Sequence, residues 1–207
     1  MKKQNKIFPE KSSLKVIGGI FKGHTLHMVK AATTRSTKAI LKESLFNTLA
    51  PILYQHCFIE VFSGTGSVGI EALSRGAKKV QFIEKDPFAY KILQRNLGEI
   101  QKKYSSLQKQ NSIPLVFESF LADSFEILPK IIHSQNNILF FDPPFPIREN
   151  FSNIYQRCFQ LIEKINQPAI IIFESLSSYE MPQNIKDFSI IKAKKFGKSS
   201  LIYYANH

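Results

Sequence analysis

Residues 60–69 read Glu60-Val-Phe-Ser-Gly64-Thr-Gly66-Ser-Val-Gly69, and the spacing of the three glycines organises the reading of the rest. They fit the pattern G-x-G-x-x-G behind an apolar run and ahead of an amphipathic one, the strand-to-helix context that the pattern requires. Without β-carbons the backbone turns sharply and lets a ligand approach closely. Twenty residues past Gly64 the next apolar run ends in Glu84. A carboxylate at that place can accept hydrogen bonds from both hydroxyls of a ribose. A nucleoside-type cofactor is expected; the plain alternative is a turn that only packs a helix on a sheet.

Outward from the loop, short apolar runs alternate with longer amphipathic ones. Strands are predicted at Cys57–Phe62, Lys79–Glu84, Leu115–Ala122, Ile138–Asp142 and Ala169–Glu174, with helices at Ser67–Arg75, Phe88–Tyr104, Ser124–His133 and Glu149–Lys164. Gly76 is placed to end the first helix. Near-continuous apolar strands separated by helices predict an α/β, Rossmann-like, doubly wound and mostly parallel sheet covered on both faces. Ile185–Lys194 and Ser199–Ala205, joined through Phe196-Gly197-Lys198, predict an antiparallel hairpin closing one sheet edge. Leu14–Ile20 and His24–Val29 flank a turn at Gly23, and Thr37–Leu49 carries a helical apolar stripe that stops before Pro51. The expected organisation is a basic appendage over residues 1–52 and a larger domain over residues 53–207.

The net charge of +12 is unevenly spread. Residues 1–59 hold 10 Lys or Arg against 2 Asp or Glu, residues 60–185 hold 13 against 13, and residues 186–207 hold 5 against 1. The excess therefore lies on two flanks of a neutral centre, the pattern of a phosphate-binding surface. Compositional drift in a lysine-rich chain is the alternative, but drift has no reason to respect segment boundaries. Hydrophobic residues make up 43% of the chain, without an apolar run near the length of a membrane span and without an apolar stretch behind the first six residues. The two cysteines, Cys57 and Cys158, sit in apolar patterns and read as buried thiols. A cytoplasmic protein with no membrane partner is expected.

The glycine loop alone does not separate a nicotinamide dinucleotide from S-adenosylmethionine. Two further acids favour the latter. Glu60 lies four residues before Gly64, within reach of the amino group of a methionine moiety. Asp123 ends the third strand and precedes Ser124 at a helix start, where it could hold an adenine amino group or serve only as a helix cap. Glu60, Phe62, Ser63, Gly64, Gly66, Glu84, Lys85, Asp123 and Ser124 form the candidate cofactor set.

The fourth strand runs into Phe141-Asp142-Pro143-Pro144-Phe145. Two prolines at a strand's carboxyl end stop the ladder and fix the backbone. The Asp142 carboxylate and the Pro143 carbonyl are both acceptors, suited to the two hydrogens of an exocyclic amine on a base. Holding both hydrogens orients the nitrogen and turns its lone pair from the ring toward an electrophilic methyl group. Phe145 offers a face for a base taken out of its stack. Asp142, Pro143, Pro144 and Phe145 are therefore the candidate catalytic residues, acting through alignment and stabilisation of developing charge. The five histidines show no metal-ligand spacing, so no metal is expected.

The order of glycine loop, Glu84, Asp123 and the Asp-Pro-Pro-Phe run resembles the class I amino-methyltransferases. Val16-Ile-Gly-Gly-Ile-Phe-Lys-Gly23-His-Thr-Leu26, Thr34-Arg-Ser-Thr-Lys38, Lys42-Glu-Ser-Leu-Phe-Asn47, Glu71-Ala-Leu-Ser-Arg-Gly-Ala77 and the tail from Phe196-Gly197 to Tyr204 are similar to blocks of the bacterial 16S rRNA (guanine-N2)-methyltransferase family. The resemblance spans residues 14–204. It implies an S-adenosylmethionine-dependent enzyme acting on one guanine of 16S ribosomal RNA, presented within an assembling small ribosomal subunit. The glycine loop, Glu84 and Asp123 would hold the cofactor, and Asp142 to Phe145 the guanine; a monomer is expected. Ser36 replaces the family's usual proline, Phe145 its tyrosine and Lys42 its arginine. A lysine lacks the bidentate grip of a guanidinium, so RNA contacts at position 42 are expected to differ. Three readings compete: an adenine-N6 DNA methyltransferase, for which little chain is left to form a target-recognition domain; an NAD(P) oxidoreductase, in which Asp-Pro-Pro-Phe has no role; and a non-catalytic RNA-binding assembly factor.

Overall fold

The computed structural model describes residues 13–29, 35–107, 114–132, 136–144, 153–165 and 170–206. The strands are β1 (Ser13–Lys15), β2 (Thr25–His27), β3 (Cys57–Glu60), β4 (Lys79–Glu84), β5 (Phe117–Leu121), β6 (Asn137–Phe141), β7 (Ile170–Leu176), β8 (Asn184–Ile185), β9 (Phe188–Phe196) and β10 (Ser199–Asn206). The helices are α1 (Arg35–Leu49), α2 (Ser67–Ser74), α3 (Pro87–Leu107), α4 (Ser124–Ile131) and α5 (Ile154–Glu163).

Among the described residues one eight-stranded sheet has the order β5-β4-β3-β6-β7-β10-β9-β8. The five from β5 to β7 are parallel. Antiparallel pairing then adds β10, β9 and β8. This is the α/β, mostly parallel sheet expected.

Alternation along the central strands splits the core in two. Phe58, Ile138, Phe140 and Ile172 face one buried cluster, with Leu93, Leu97 and Ile100 of α3. Ile59, Leu139, Phe141, Ile171 and Phe173 face the other, with Leu128 of α4 and Cys158, Leu161 and Ile162 of α5. Strands covered on both faces must be apolar at successive positions, hence their near-continuous hydrophobic runs.

The amino-terminal segment enters the first of these clusters through Val16, Phe21, Leu26, Leu41, Leu45, Phe46 and Leu49. One buried carboxylate ties it down. Glu71 of α2 is fully buried and accepts the backbone N–H groups of Ile17 and Gly18 at 2.9 and 2.8 Å. The same carboxylate meets Arg75 Nε at 2.8 Å and Lys42 Nζ at 3.4 Å. Ser74 adds a second clamp: its carbonyl accepts from Ile20 N–H and its hydroxyl oxygen from Phe21 N–H. Gly19, at φ +74°, crosses so near this point that a β-carbon would lie 1.8 Å from the Ser74 carbonyl oxygen. The Gly18-Gly19 pair is thus a contact surface for the end of α2.

Several element ends differ from expectation. Helix α2 stops at Ser74, where Gly76 at φ +87° and the bonds Gly76 N–H to Leu73 and Ala77 N–H to Ala72 close it. Strand β6 stops at Phe141, leaving Asp142 outside the ladder ahead of the two prolines. The predicted strand Ile185–Lys194 is two strands: Lys186, at φ 52°, turns the chain so that Ile185 pairs with Phe188. The predicted starts of α4 and of the C-terminal strand Ser199 hold. Residue 133, Phe145 and the predicted α5 start at residue 149 lie outside the described residues.

Removing Glu71 leaves Lys42 buried without its anion and two backbone N–H groups without an acceptor. Glu71→Ala should lower stability by about 3–5 kcal/mol, the usual result of breaking a buried ion pair from one side, read from denaturant midpoints at unchanged slope.

Candidate active site

Strand order reverses between β3 and β6, so the chain leaves their carboxyl ends toward opposite faces and a crevice opens there. The glycine loop follows β3, and Asp142-Pro143-Pro144 follows β6. A cavity of about 860 Å³ joins the two, within the usual range for small-ligand sites.

At one end, Glu84 shapes the glycine loop. Its carboxylate accepts Gly64 N–H at 2.6 Å and Asp86 N–H at 2.7 Å, with the Lys85 N–H as a further backbone donor, and the side chain lines the cavity. Burial raises its pKa, against those backbone donors. Gly64, at φ +52°, has open space where a β-carbon would stand. Gly66 and Gly69 serve packing instead: side chains there would strike Leu93 at 2.4 Å and Phe82 at 2.3 Å respectively. Gly66 turns the chain behind the loop and does not itself line the cavity.

Asp123 caps α4, accepting Phe125 N–H at 3.0 Å, and meets Lys85 Nζ at 2.6 Å. Burial pushes its pKa up, but those donors outweigh it and the net shift is downward. Lys85 is largely exposed and paired in this way. Phe62 lies between Phe125 and Phe141, with ring centroids 6.0 and 6.2 Å away. Arg157 sits over the Phe125 ring at 4.0 Å. The two serines line the cavity, with their hydroxyl hydrogens given to strand ends. The Ser63 N–H and hydroxyl both donate to Ile83 O, and the Ser124 hydroxyl donates to Val61 O. They hold loop and helix against strand ends.

Glu60 is buried at the middle of the cavity. Its oxygens accept Val68 N–H at 3.2 Å and Gly69 N–H at 2.9 Å, so it caps the first turn of α2 from the preceding strand. Burial nevertheless pushes its pKa up to about 8. Both Glu60 and Glu84 therefore hold the loop as well as lining the cavity, a structural duty that spacing alone does not disclose.

At the other end Asp142 and Pro144 line the cavity while Pro143 is buried out of it. Lys38 Nζ of α1 lies 3.4 Å from Asp142 Oδ2 and 3.8 Å from Glu174 Oε1 of β7. Neither Lys38 nor Glu174 was expected in the site. The available signal for Glu174 was an acid at a strand's carboxyl end, but only strand order shows that this strand neighbours Asp142. Lys42, which stands where the family usually has arginine, is turned inward. It is 3% exposed, with Nζ 3.4 Å from both Glu71 and the Ser67 carbonyl, and burial lowers its pKa. Its contacts are thus with Glu71 and the start of α2, at the wall of the cavity.

Among the described residues no three His, Cys, Asp or Glu side chains cluster closely enough to hold a metal ion, and no helix is long and apolar enough to cross a membrane.

Comparison with known proteins places the chain in a family. A family model described as Conserved hypothetical protein 95 matches residues 14–205. Ribosomal RNA small subunit methyltransferase D of Haemophilus influenzae is 27% identical over 200 residues, 95% of either chain. The Escherichia coli (strain K12) protein of that name is 28% identical over 194 residues, 92% of this chain and 89% of its own. The solved structure of the Escherichia coli protein yhhF superposes with a TM-score of 0.72 at 24% identity, covering 94% of this chain and 98% of that one. With nearly its whole length matched, the chain belongs to the Conserved hypothetical protein 95 family and is a methyltransferase.

Proposed function

We propose that this methyltransferase uses S-adenosylmethionine to methylate the N2 amine of a guanine in 16S ribosomal RNA. The supporting observation is the single cavity that joins the glycine loop and Glu84 to Asp142 and Pro144. The residues fit the cofactor. Glu84 lines the cavity and offers a carboxylate for a ribose hydroxyl, Phe62 and Ile83 give an apolar wall, and buried Glu60 faces the place for an ammonium. When bound, the cofactor supplies an electrophilic methyl group. The chain's own part is to hold the amine: Asp142 accepts one N–H, turns the nitrogen lone pair toward the methyl and stabilises the charge that develops. Phe145 is the proposed stacking platform, and Asp123 the contact for the adenine edge.

The relatives' names supply the ribosomal RNA, and the basic flanks support it. Strand β9 lies against α1, with Lys192 Nζ 3.1 Å from Thr48 Oγ1 and Lys194 Nζ 3.3 Å from Ser44 Oγ. Lys192 and Lys194 thus stand beside the amino-terminal helix on one face of β9.

The deciding experiment is methyl transfer from labelled cofactor to small subunits lacking the modification, followed by nucleoside analysis. N2-methylguanosine is expected, and N6-methyladenosine or no product would refute the assignment. Asp142→Ala should lose about a hundredfold or more in kcat while calorimetry gives cofactor affinity within a few-fold of wild type. Cofactor affinity should also depend on pH through Glu60, whose charged neighbours are Asp142, Lys42 and Lys38. A bound ammonium favours the ionised carboxylate, so affinity should climb as pH rises toward about 8 with proton release, and Glu60→Gln should flatten this climb. Replacing Lys192, Lys194 and Lys195 by alanine should weaken RNA binding and make its logarithmic salt dependence shallower by about 2–3 if all three meet phosphates.

A further inference from the structure

The mechanism above leaves one buried acid in the cavity unused. Glu174 is 3% exposed, lines the cavity beside Asp142, and its Oε1 has no hydrogen-bond partner among the described residues. A buried acceptor left open is costly, so such a group calls for an explanation. Lys38 Nζ, 3.8 Å from this oxygen, is beyond hydrogen-bond distance and lies closer to Asp142. The nearness of Asp142 and burial both raise the Glu174 pKa, with burial the larger cause. Position follows from the register. β6 and β7 are parallel with Phe141 paired to Phe173, so Asp142 and Glu174 follow at the same level on adjacent strands.

We propose that Glu174 reads the base: its buried Oε1 accepts the N1–H of a guanine whose N2 amine is held by Asp142, selecting guanine over bases with a lone pair at N1. This deepens the guanine-N2 reading above and rests on it. Guanine presents N1–H and N2–H side by side, a donor row that two neighbouring carboxylates match. Adenine presents a lone pair at N1, and a carboxylate facing it would be repelled. Lys38 stands between the two acids and offsets their mutual repulsion, which lets both remain acceptors. A site built to bond a substrate N–H rejects an analogue lacking it, because the buried acceptor is then left unpaired.

The probe is 2-aminopurine, which keeps the exocyclic amine at C2 but has a lone pair instead of a proton at N1. Small subunits are reconstituted around rRNA carrying either guanine or 2-aminopurine at the nucleotide that the wild-type enzyme methylates. Wild type should prefer guanine in kcat/KM by about 10- to 100-fold, the effect of one hydrogen bond to a charged acceptor. Glu174→Gln, whose amide can donate to a lone pair, should shrink that preference at least tenfold. Glu174→Met, which removes both acceptors at similar volume, should lose guanine turnover without gaining 2-aminopurine turnover. Cofactor affinity by calorimetry confirms that each variant is folded. Equal wild-type rates on the two bases, or a preference unchanged in Glu174→Gln, would overturn the proposal. So would loss of cofactor binding in both variants, which would make Glu174 a folding residue. Absence of N2-methylguanosine from wild type on the guanine substrate refutes the parent reading instead, and this one with it.

Discussion

Everything in the site depends on the place where β3 and β6 lie side by side while their chains depart toward opposite faces of the sheet. Parallel pairing aligns the two carboxyl ends, and the reversal keeps crossing helices out of the gap between them. The glycine loop and the Asp142-Pro143-Pro144 turn must then face each other across it. Neither segment needs a long-range contact of its own to be placed there. Hydrogen bonds only refine the positions: Glu84 on Gly64, Glu60 on Val68 and Gly69, Ser124 on Val61.

The amino-terminal segment is placed by a different kind of force. Its apolar residues join the same buried cluster as β3 and α2, while Glu71 fixes its register through two backbone bonds and two cations. Apolar burial is indifferent to small slides. A buried carboxylate with four partners is not, since each misplaced donor leaves a polar group unpaired. That precision matters because α1 brings Lys38 to Asp142.

Much of this was legible in the sequence where local chemistry is strong. Continuous apolar runs announced the buried parallel strands, glycine spacing the loop, Gly76 a helix end, and paired prolines a strand end beside an acid. The remainder depends on partners distant along the chain. Nothing near Glu71 distinguishes it from a solvated helix charge, and nothing near Lys42 shows that it is buried. Glu174 enters the site only through strand order. The turn at Lys186-Asp187 escaped notice because it lacks the glycine or asparagine that such a two-residue hairpin usually shows. Ser63 lies in the glycine loop and Ser124 at the start of α4 as expected, but their hydroxyl hydrogens are given to backbone carbonyls, a choice that spacing does not record.

The position of β10 has a consequence for synthesis. Although it follows every other element in the chain, it lies inside the sheet between β7 and β9, with Leu201 paired to Glu174. During translation the parallel half can assemble first, yet one edge of β7 stays open, with unpaired N–H and C=O groups and apolar side chains exposed. Glu174 of the cavity stands on that strand. A nascent chain stalled before residue 199 would thus carry an intact glycine loop on an incomplete sheet, prone to recruiting strands from its neighbours. Closure of the β7 edge and protection from aggregation arrive together, with the same eight residues.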